Sequence, residues 1–315
     1  MLCMKIIENN KDYFDQSIDE IKLLKFININ GDPDKNNVLR MHDYFYHKEH
    51  LIIVTELLKD NLYEYYKYNR ENEDFLYFTL GRLQKITKQI LTALNFLHDL
   101  HLIHCDLKPE NILVKSYSRC EVKVIDFGSS CFIHDHLSSY VQSRSYRAPE
   151  VILGYKYGCK IDIWSLGCIL SELYTGNVLF QNESVQGLLA RVIGIIGPIP
   201  EKIMKKGRQV PQFFTREGLI YQNPGENDAS RSHTMSEISE PHNRRRANDT
   251  GKIQILLPKK TTLKHRLGNV EDEAFVDFIR QLLELDPDKR PTAKEAMQHP
   301  WLTTSKYPVD ILTYN

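Results

Sequence analysis

The sequence predicts an α+β fold in two lobes, a small strand-rich lobe over residues 1–58 and a large helical lobe over 59–315. Three observations predict it. The run Leu51-Ile52-Ile53-Val54-Thr55-Glu56-Leu57-Leu58 is short, apolar and β-rich, the pattern of a buried strand leaving its lobe. Beyond Lys59 the apolar residues recur at helical spacing. A chain of 315 residues, 42% hydrophobic and 26% charged, has the size for two lobes and the composition of an ordinary soluble protein.

The elements follow in order. Leu2 to Ile7 reads as a short strand around Lys5. Phe14, Ile18, Ile21 and Leu24 fall on one helical face, which predicts a helix over Phe14–Phe26. The strand Leu51–Leu58 closes the small lobe. Leu83, Ile86, Ile90, Leu94 and Leu97 mark one side of a long helix ending near Asp99. Short strands follow at Ile112–Val114 and Val122–Ile125. Ile161 to Tyr174 is apolar on all sides, so it is a buried central helix rather than a surface one. Phe275, Phe278, Ile279 and Leu282 define an amphipathic helix, stopped by the Asp286-Pro287-Asp288 turn, and a last helix spans Thr292–Gln298. Gln222 to Lys252 is polar and short of large apolar residues, which predicts a disordered surface insertion. Its Arg244-Arg245-Arg246 run reads as a solvated loop, with a nuclear-import signal as the alternative.

Charge and cysteine usage exclude several classes. Lys plus Arg equals Asp plus Glu, 41 each, which argues against nucleic acid or an anionic membrane as partner. The six cysteines form no C-x-x-C pair and read as free thiols of a reducing compartment. Met1 to Asn10 has no signal-peptide pattern, and no apolar run is long enough to span a bilayer. A monomer of the cytosol or nucleus is expected.

The chemistry concentrates in His104-Cys105-Asp106-Leu107-Lys108-Pro109-Glu110-Asn111 and, fifteen residues after Asn111, Asp126-Phe127-Gly128. Asp106 can take a proton from a hydroxyl. Lys108 can neutralise phosphate oxygens, and Asn111 and Asp126 offer hard oxygens to magnesium. This is equipment for phosphoryl transfer. The series H-x-D-L-x-x-x-N, D-F-G and A-P-E (Ala148 to Glu150) resembles the protein kinases over nearly the whole chain.

That resemblance implies a bilobal kinase fold, ATP and Mg²⁺ as cofactors, and protein substrates. It makes Asp106 the catalytic base, Lys108 the contact to the transferring phosphate, and Asn111 and Asp126 the metal ligands. The D-L-K-P-E-N placement of Lys108 resembles kinases that modify serine and threonine. Lys5 in Leu2-Cys3-Met4-Lys5 matches the strand lysine of the ATP site, with Glu20 as its helix partner. Thr55 falls at the gatekeeper position, backbone groups of Glu56 and Leu58 would bond adenine, and Leu113 would lie under the ring. Asp162 resembles the aspartate tying the catalytic loop to the central helix, and Glu150 with Arg290 the ion pair closing the large lobe.

Cys105 stands where most regulated kinases carry an arginine that grips a phosphorylated activation loop. H-C-D-L-K-P-E-N, D-F-G-S-S-C and Y-x-Q-S-R-x-Y-R together resemble the dual-specificity tyrosine-regulated kinases, the DYRK family. The segment from Gly187 to Arg266 fits the insert of the wider group that includes the MAP and cyclin-dependent kinases. The DYRK resemblance implies autophosphorylation of Tyr140, gripped by Arg144 and Arg147, with Ser138 taking the place of the first tyrosine of the usual Y-x-Y. It also implies Ser/Thr substrates next to proline with arginine upstream. A pseudokinase-like scaffold is the alternative, which the intact Asp106, Asn111 and Asp126 disfavour.

Kinases place a Gly-rich hairpin over the ATP phosphates ahead of the strand lysine. Only four residues precede Lys5, whereas two strands and a turn need about a dozen. The expectation is a kinase domain lacking that hairpin, with poor ATP affinity by itself and full activity in an N-terminally extended form. A misassigned start, a fragment and a natural truncation all fit, and Met1 within the strand favours the first.

Overall fold

Lys5 stands in the second half of strand β1 (Leu2–Ile6). Helix α1 (Lys11–Asn30) follows, then strands β2 (Met41–His47) and β3 (His50–Glu56). In this computed structural model, which describes residues 1–71, 77–135, 140–181, 183–222 and 253–307, the sheet order is β1-β3-β2, all antiparallel. β3 is central and buried from Leu51 to Thr55, as its unbroken apolar run predicts. β1 is an edge strand among the described residues and is exposed along its length. The Asn10 side chain caps α1 by accepting the Asp12 N–H at 2.8 Å. The helix is longer at both ends than the predicted Phe14–Phe26. It buries Ile21, Leu24 and Ile27, each contributing about 1.5–3 kcal/mol, and this brings Glu20 to the Lys5 side of the lobe. β2 has no counterpart in the sequence reading.

The large lobe begins with α2 (Leu62–Glu71) and α3 (Leu80–Asp99). Leu83, Ile86, Ile90, Leu94 and Leu97 of α3 are all fully buried, which is the face their spacing predicts. Four short strands follow: β4 (Leu102–Ile103), β5 (Ile112–Ser116), β6 (Glu121–Val124) and β7 (Cys131–Phe132). β4 pairs with β7 and β5 with β6. These two hairpin-like pairs hold the catalytic segment on one side and the Asp126 turn on the other. After α4 (Pro149–Ile152) comes α5 (Lys160–Thr175), in which every residue from Ile161 to Leu173 is buried. It stops at Gly176, whose φ of 74° is the left-handed conformation glycine supplies without a Cβ penalty.

The remaining elements are α6 (Val185–Ile195), α7 (Glu201–Lys206), the pair β8 (Ile220–Gln222) and β9 (Gln254–Leu256), α8 (Leu263–Arg266), α9 (Glu273–Leu282), α10 (Ala293–Ala296) and α11 (Pro300–Thr303). Two predictions are corrected here. The single helix expected over Thr292–Gln298 is shorter, with Thr292 and Glu295 forming a capping box at its start. A second helix begins at Pro300, whose ring keeps His299 extended and separates the two. Gln222 closes β8 rather than opening the polar insertion, because its partner Gln254 completes the ladder. Residues 223–252 of that insertion, and Ser138, lie outside the described residues. No described helix is long and apolar enough to cross a membrane.

Candidate active site

The segment between β4 and β5 is held from below by α5. Asp162, fully buried, accepts the His104 N–H at 2.9 Å, the Cys105 N–H at 3.1 Å and a bond from His98 Nε2 at 2.9 Å. The expected tie between catalytic segment and central helix is therefore two backbone bonds to one carboxylate, each charge-assisted. Cys105 has φ 66°, a strained left-handed conformation for a residue with a side chain. Its buried thiol points to Cys131, with the sulfurs 3.4 Å apart. Hydrogen bonding to Cys131 and burial push the Cys105 thiol far up, while the same contact lowers Cys131. This position supplies no cation to the activation loop.

Asp106 is surrounded by donors. Ser143 gives its N–H (3.1 Å) and its hydroxyl (2.7 Å) to Oδ1, and Lys108 Nζ lies 2.7 Å from Oδ2. The Asn111 amide donates to the Asp106 carbonyl at 2.9 Å. Burial is the largest influence on Lys108 and opposes its charge, but the bond to Asp106 together with the negative charges of Asp106, Glu110 and Asp126 outweighs it and raises the ammonium pKa. Asn111 is also tied to the D-F-G turn, because the Ile125 N–H donates to its carbonyl at 3.0 Å. Asp126 has φ 60° and accepts the Gly128 N–H at 3.3 Å. Phe127 is fully buried edge-on to His104. The structure thus gathers Asp106, Lys108 and Asn111 within one hydrogen-bonded cluster and sets Asp126 beside it.

A cavity of about 740 Å³ brings Lys5, Glu20 and Asp126 together between the lobes. Lys5 Nζ contacts both oxygens of Glu20, at 2.8 and 3.0 Å. At the connection between lobes, the Lys59 N–H donates to the Val114 carbonyl and the Val114 N–H to that of Asp60. Asn61 forms a bridge with Leu113. Leu58 and Leu113 therefore sit on adjacent strands of chain. Thr55 Oγ1 donates to the Glu56 carbonyl at 3.1 Å.

Tyr140 is exposed, with the Arg147 guanidinium 4.1 Å from its ring centroid. A hydrogen bond from Arg147 and its charge hold the Tyr140 hydroxyl below the ordinary tyrosine value. Arg144 instead donates to the Glu183 carbonyl at 3.1 Å.

Several residues in the site had no assigned role in the sequence reading. Ser143 sits inside the quoted Y-x-Q-S-R motif, and only its contact with Asp106 shows what it does. Gln142, at φ 68°, bonds Ser165, the Ile161 carbonyl and the Ala148 N–H. Lys123 of β6, 1% exposed, reaches Glu56 at 2.5 Å and Asp34 at 2.9 Å and so braces the lobe connection. Hydrogen bonds from Lys115, Lys123 and Arg40 hold the Asp34 carboxyl far below its usual range. A lysine between valines on a short strand has no local signal of such pairing.

Residues 1–302 match the model of the protein kinase domain. The chain belongs to the protein kinase family. This kinase domain is 38% identical over 301 residues to the "Dual specificity tyrosine-phosphorylation-regulated kinase mbk-2" of Caenorhabditis elegans, covering 96% of this chain and 35% of that protein. It is 36% identical over 304 residues to the "Dual specificity tyrosine-phosphorylation-regulated kinase 3" of Mus musculus, covering 96% and 50%. It is also 36% identical over 302 residues to the "Probable serine/threonine-protein kinase dyrk2" of Dictyostelium discoideum, covering 96% and 30%. The chain thus spans between 30% and 50% of the length of these curated relatives. The kinase family implies ATP, a divalent metal and protein substrates.

Proposed function

We propose that this domain transfers the γ-phosphoryl group of Mg-ATP to serine and threonine of protein substrates, and to its own Tyr140. The observation that carries the reading is the Asp106 cluster, built from two distant segments. It opens to a cavity lined by Asp106, Ser143 and Tyr140, which shares Ser129 with the cavity of Lys5, Glu20 and Asp126. Asp106 orients the substrate hydroxyl and receives its proton, with Ser143 holding the carboxylate in place. Lys108 neutralises charge on the transferring group. Lys5, oriented by Glu20, grips the inner phosphates. Glu56 and Leu58 bind adenine through their backbone, with Leu113 beneath it.

The metal fits the residues present. The Asn111 amide nitrogen is committed to Asp106, which leaves its Oδ1 as the atom available to a metal, and Asp126 adds a carboxylate. Among the described residues there is no cluster of three or more acidic, histidine or cysteine ligands. Mg²⁺ takes one or two protein oxygens, here those of Asn111 and Asp126, and completes its shell with phosphate and water. Bound there, it would neutralise developing phosphate charge.

Two features support the substrate preference. The Gln142 carbonyl accepts two N–H bonds from Arg147, at 2.7 and 3.2 Å. It has nothing left for a substrate N–H, so proline after the acceptor residue loses no bond there. Upstream, Glu110 Oε2 is buried without a hydrogen-bond partner, and Glu172, which accepts from Tyr146 at 2.7 Å, is near enough to repel it. A buried Glu110 oxygen without a partner, near a second carboxylate, suits a substrate arginine. A phosphate on Tyr140 would meet Arg147, and Arg144 after release from Glu183. Free thiols support the cytosol or nucleus. The domain acts as a monomer whose lobes meet at residues 58 and 59, with an insertion after Gln222.

The test is phosphate transfer from Mg-ATP to a peptide with arginine upstream and proline after its serine, with mass spectrometry at Tyr140. Transfer abolished by Asp126→Ala is expected. Neither transfer nor Mg²⁺-dependent nucleotide binding would overturn the reading.

A further inference from the structure

A second cavity, about 450 Å³, lies in the large lobe between α6 and the chain running from β9 into α8. Four basic side chains line it, Arg191, Lys259, His265 and Arg266, with no carboxylate among the lining residues. None of the four makes a side-chain hydrogen bond or ion pair among the described residues, and Nε of Arg266 is buried without a partner. Their neighbours behave differently. Lys264 is paired with Glu273, Lys202 with Asp286 and Asp288, and Arg280 with Asp277. Unmatched cations gathered at one concave site mark a place for negative charge.

An apolar row adjoins the cavity and meets it at Leu257. Ile253, Ile255 and Leu257 recur at a two-residue period through β9 and its two flanking residues, and they are 60%, 39% and 81% exposed. β8 is covered along its outer edge by Phe213 and Phe214. β9 has no such partner among the described residues. An unpaired strand edge beside exposed apolar side chains is the feature an extended peptide uses when it adds to a sheet.

From the four unmatched bases, the apolar row and the open edge, we infer that this face is a docking site for an extended acidic–apolar segment of a partner protein. Its apolar residues cover Ile255 and Leu257, and its carboxylates meet Arg191, Lys259, His265 and Arg266. The cavity's concavity favours a peptide over a flat lipid surface. The apolar row favours a peptide over a free anion. The site is separate from the phosphotransfer cluster and stands whether or not that reading holds.

The test is selection of a randomised decapeptide phage library on the full chain and on the double variant Arg191→Glu/Lys259→Glu. The best peptides are then resynthesised and their Kd read by fluorescence anisotropy. Enriched peptides are expected to carry acidic residues beside apolar ones and to weaken as salt rises. The charge-reversed chain should bind them about tenfold or more weakly. Leu257→Asp should weaken them to a similar extent. The thermal midpoint, and phosphorylation of a short substrate peptide, should stay as in the parent. If the reversed pair does not fold, Arg191→Gln/Lys259→Gln replaces it. No acidic enrichment, or equal binding by the variants, overturns the proposal. Full displacement by inorganic phosphate would make it a small-anion site. Charge-dependent binding of phosphatidylserine vesicles without peptide binding would make it a membrane site.

Discussion

Lys5–Glu20 and Arg290–Glu150 are the same kind of contact, a cation on a carboxylate, built in opposite ways. Lys5 is 53% exposed and Glu20 11%, while Arg290 and Glu150 are both 0%. The first joins a helix to an edge strand of the small lobe. The second joins the A-P-E helix to the turn after α9, and Arg290 adds bonds to the carbonyls of Glu284 and Lys160. In water an ion pair is weak, because hydration competes for both charges. In the core it is hard to remove one partner, because the other is left charged and dry. The small lobe therefore holds a part-exposed contact beside the cavity it shares with Asp126, whereas the large lobe holds one sealed in the core.

The comparison can be broken first at the reacting group. Asp106→Asn leaves both pairs intact and is expected to lower kcat about 10²–10⁴-fold with the thermal midpoint little changed. If the loss came from unfolding instead, Asp106 would belong with the structural pair. Arg290→Met should destabilise the chain by about 3–5 kcal/mol in denaturant unfolding, through the stranded Glu150. A change under 1 kcal/mol, by that same principle, would erase the contrast. Lys5→Met should cost about 1 kcal/mol or less. Its effect should appear in KM for ATP, and equal losses of stability from Lys5→Met and Arg290→Met would contradict the comparison.

The smallest effect concerns pH. Burial raises Glu172 above the ordinary value of 4.5, although the Tyr146 hydrogen bond opposes this. A raised folded pKa means the folded chain holds this proton more firmly than the unfolded one. Its contribution to stability is complete below 4.5 and lost as pH climbs through the folded pKa. Glu172→Gln should therefore flatten the fall in stability above pH 4.5, read as thermal midpoint against pH. An unchanged profile would place the pH dependence elsewhere.

Elements with a buried face were legible because burial writes a period into the chain. α3 and α9 show it at helical spacing, and β3 shows it as an unbroken apolar run. β2, Met-His-Asp-Tyr-Phe-Tyr-His, is an outer strand exposed over nearly its whole length, so nothing in its pattern distinguishes two faces. The predicted α1 is short at its start for the same reason, since Lys11 to Tyr13 are exposed; at its end it misses the buried Ile27, which lies among the polar Asn28 and Asn30 and the exposed Ile29. Asp106, Lys108 and Asn111 were legible because their chemistry is packed into six consecutive residues. Ser143, Gln142, Lys123 and Glu172 were not, because each matters only through a partner far away in sequence.

The sequence by itself determined the lineage and the two-lobed α+β layout, and it pointed to the residues proposed for phosphotransfer, since these depend on residue type and short spacing. Tertiary structure alone decided which charges are wet and which are dry, that Gln142's carbonyl is occupied, and that Arg191, Lys259, His265 and Arg266 converge unpaired on one cavity. Those outcomes depend on distance and desolvation, and both are set by how remote segments pack.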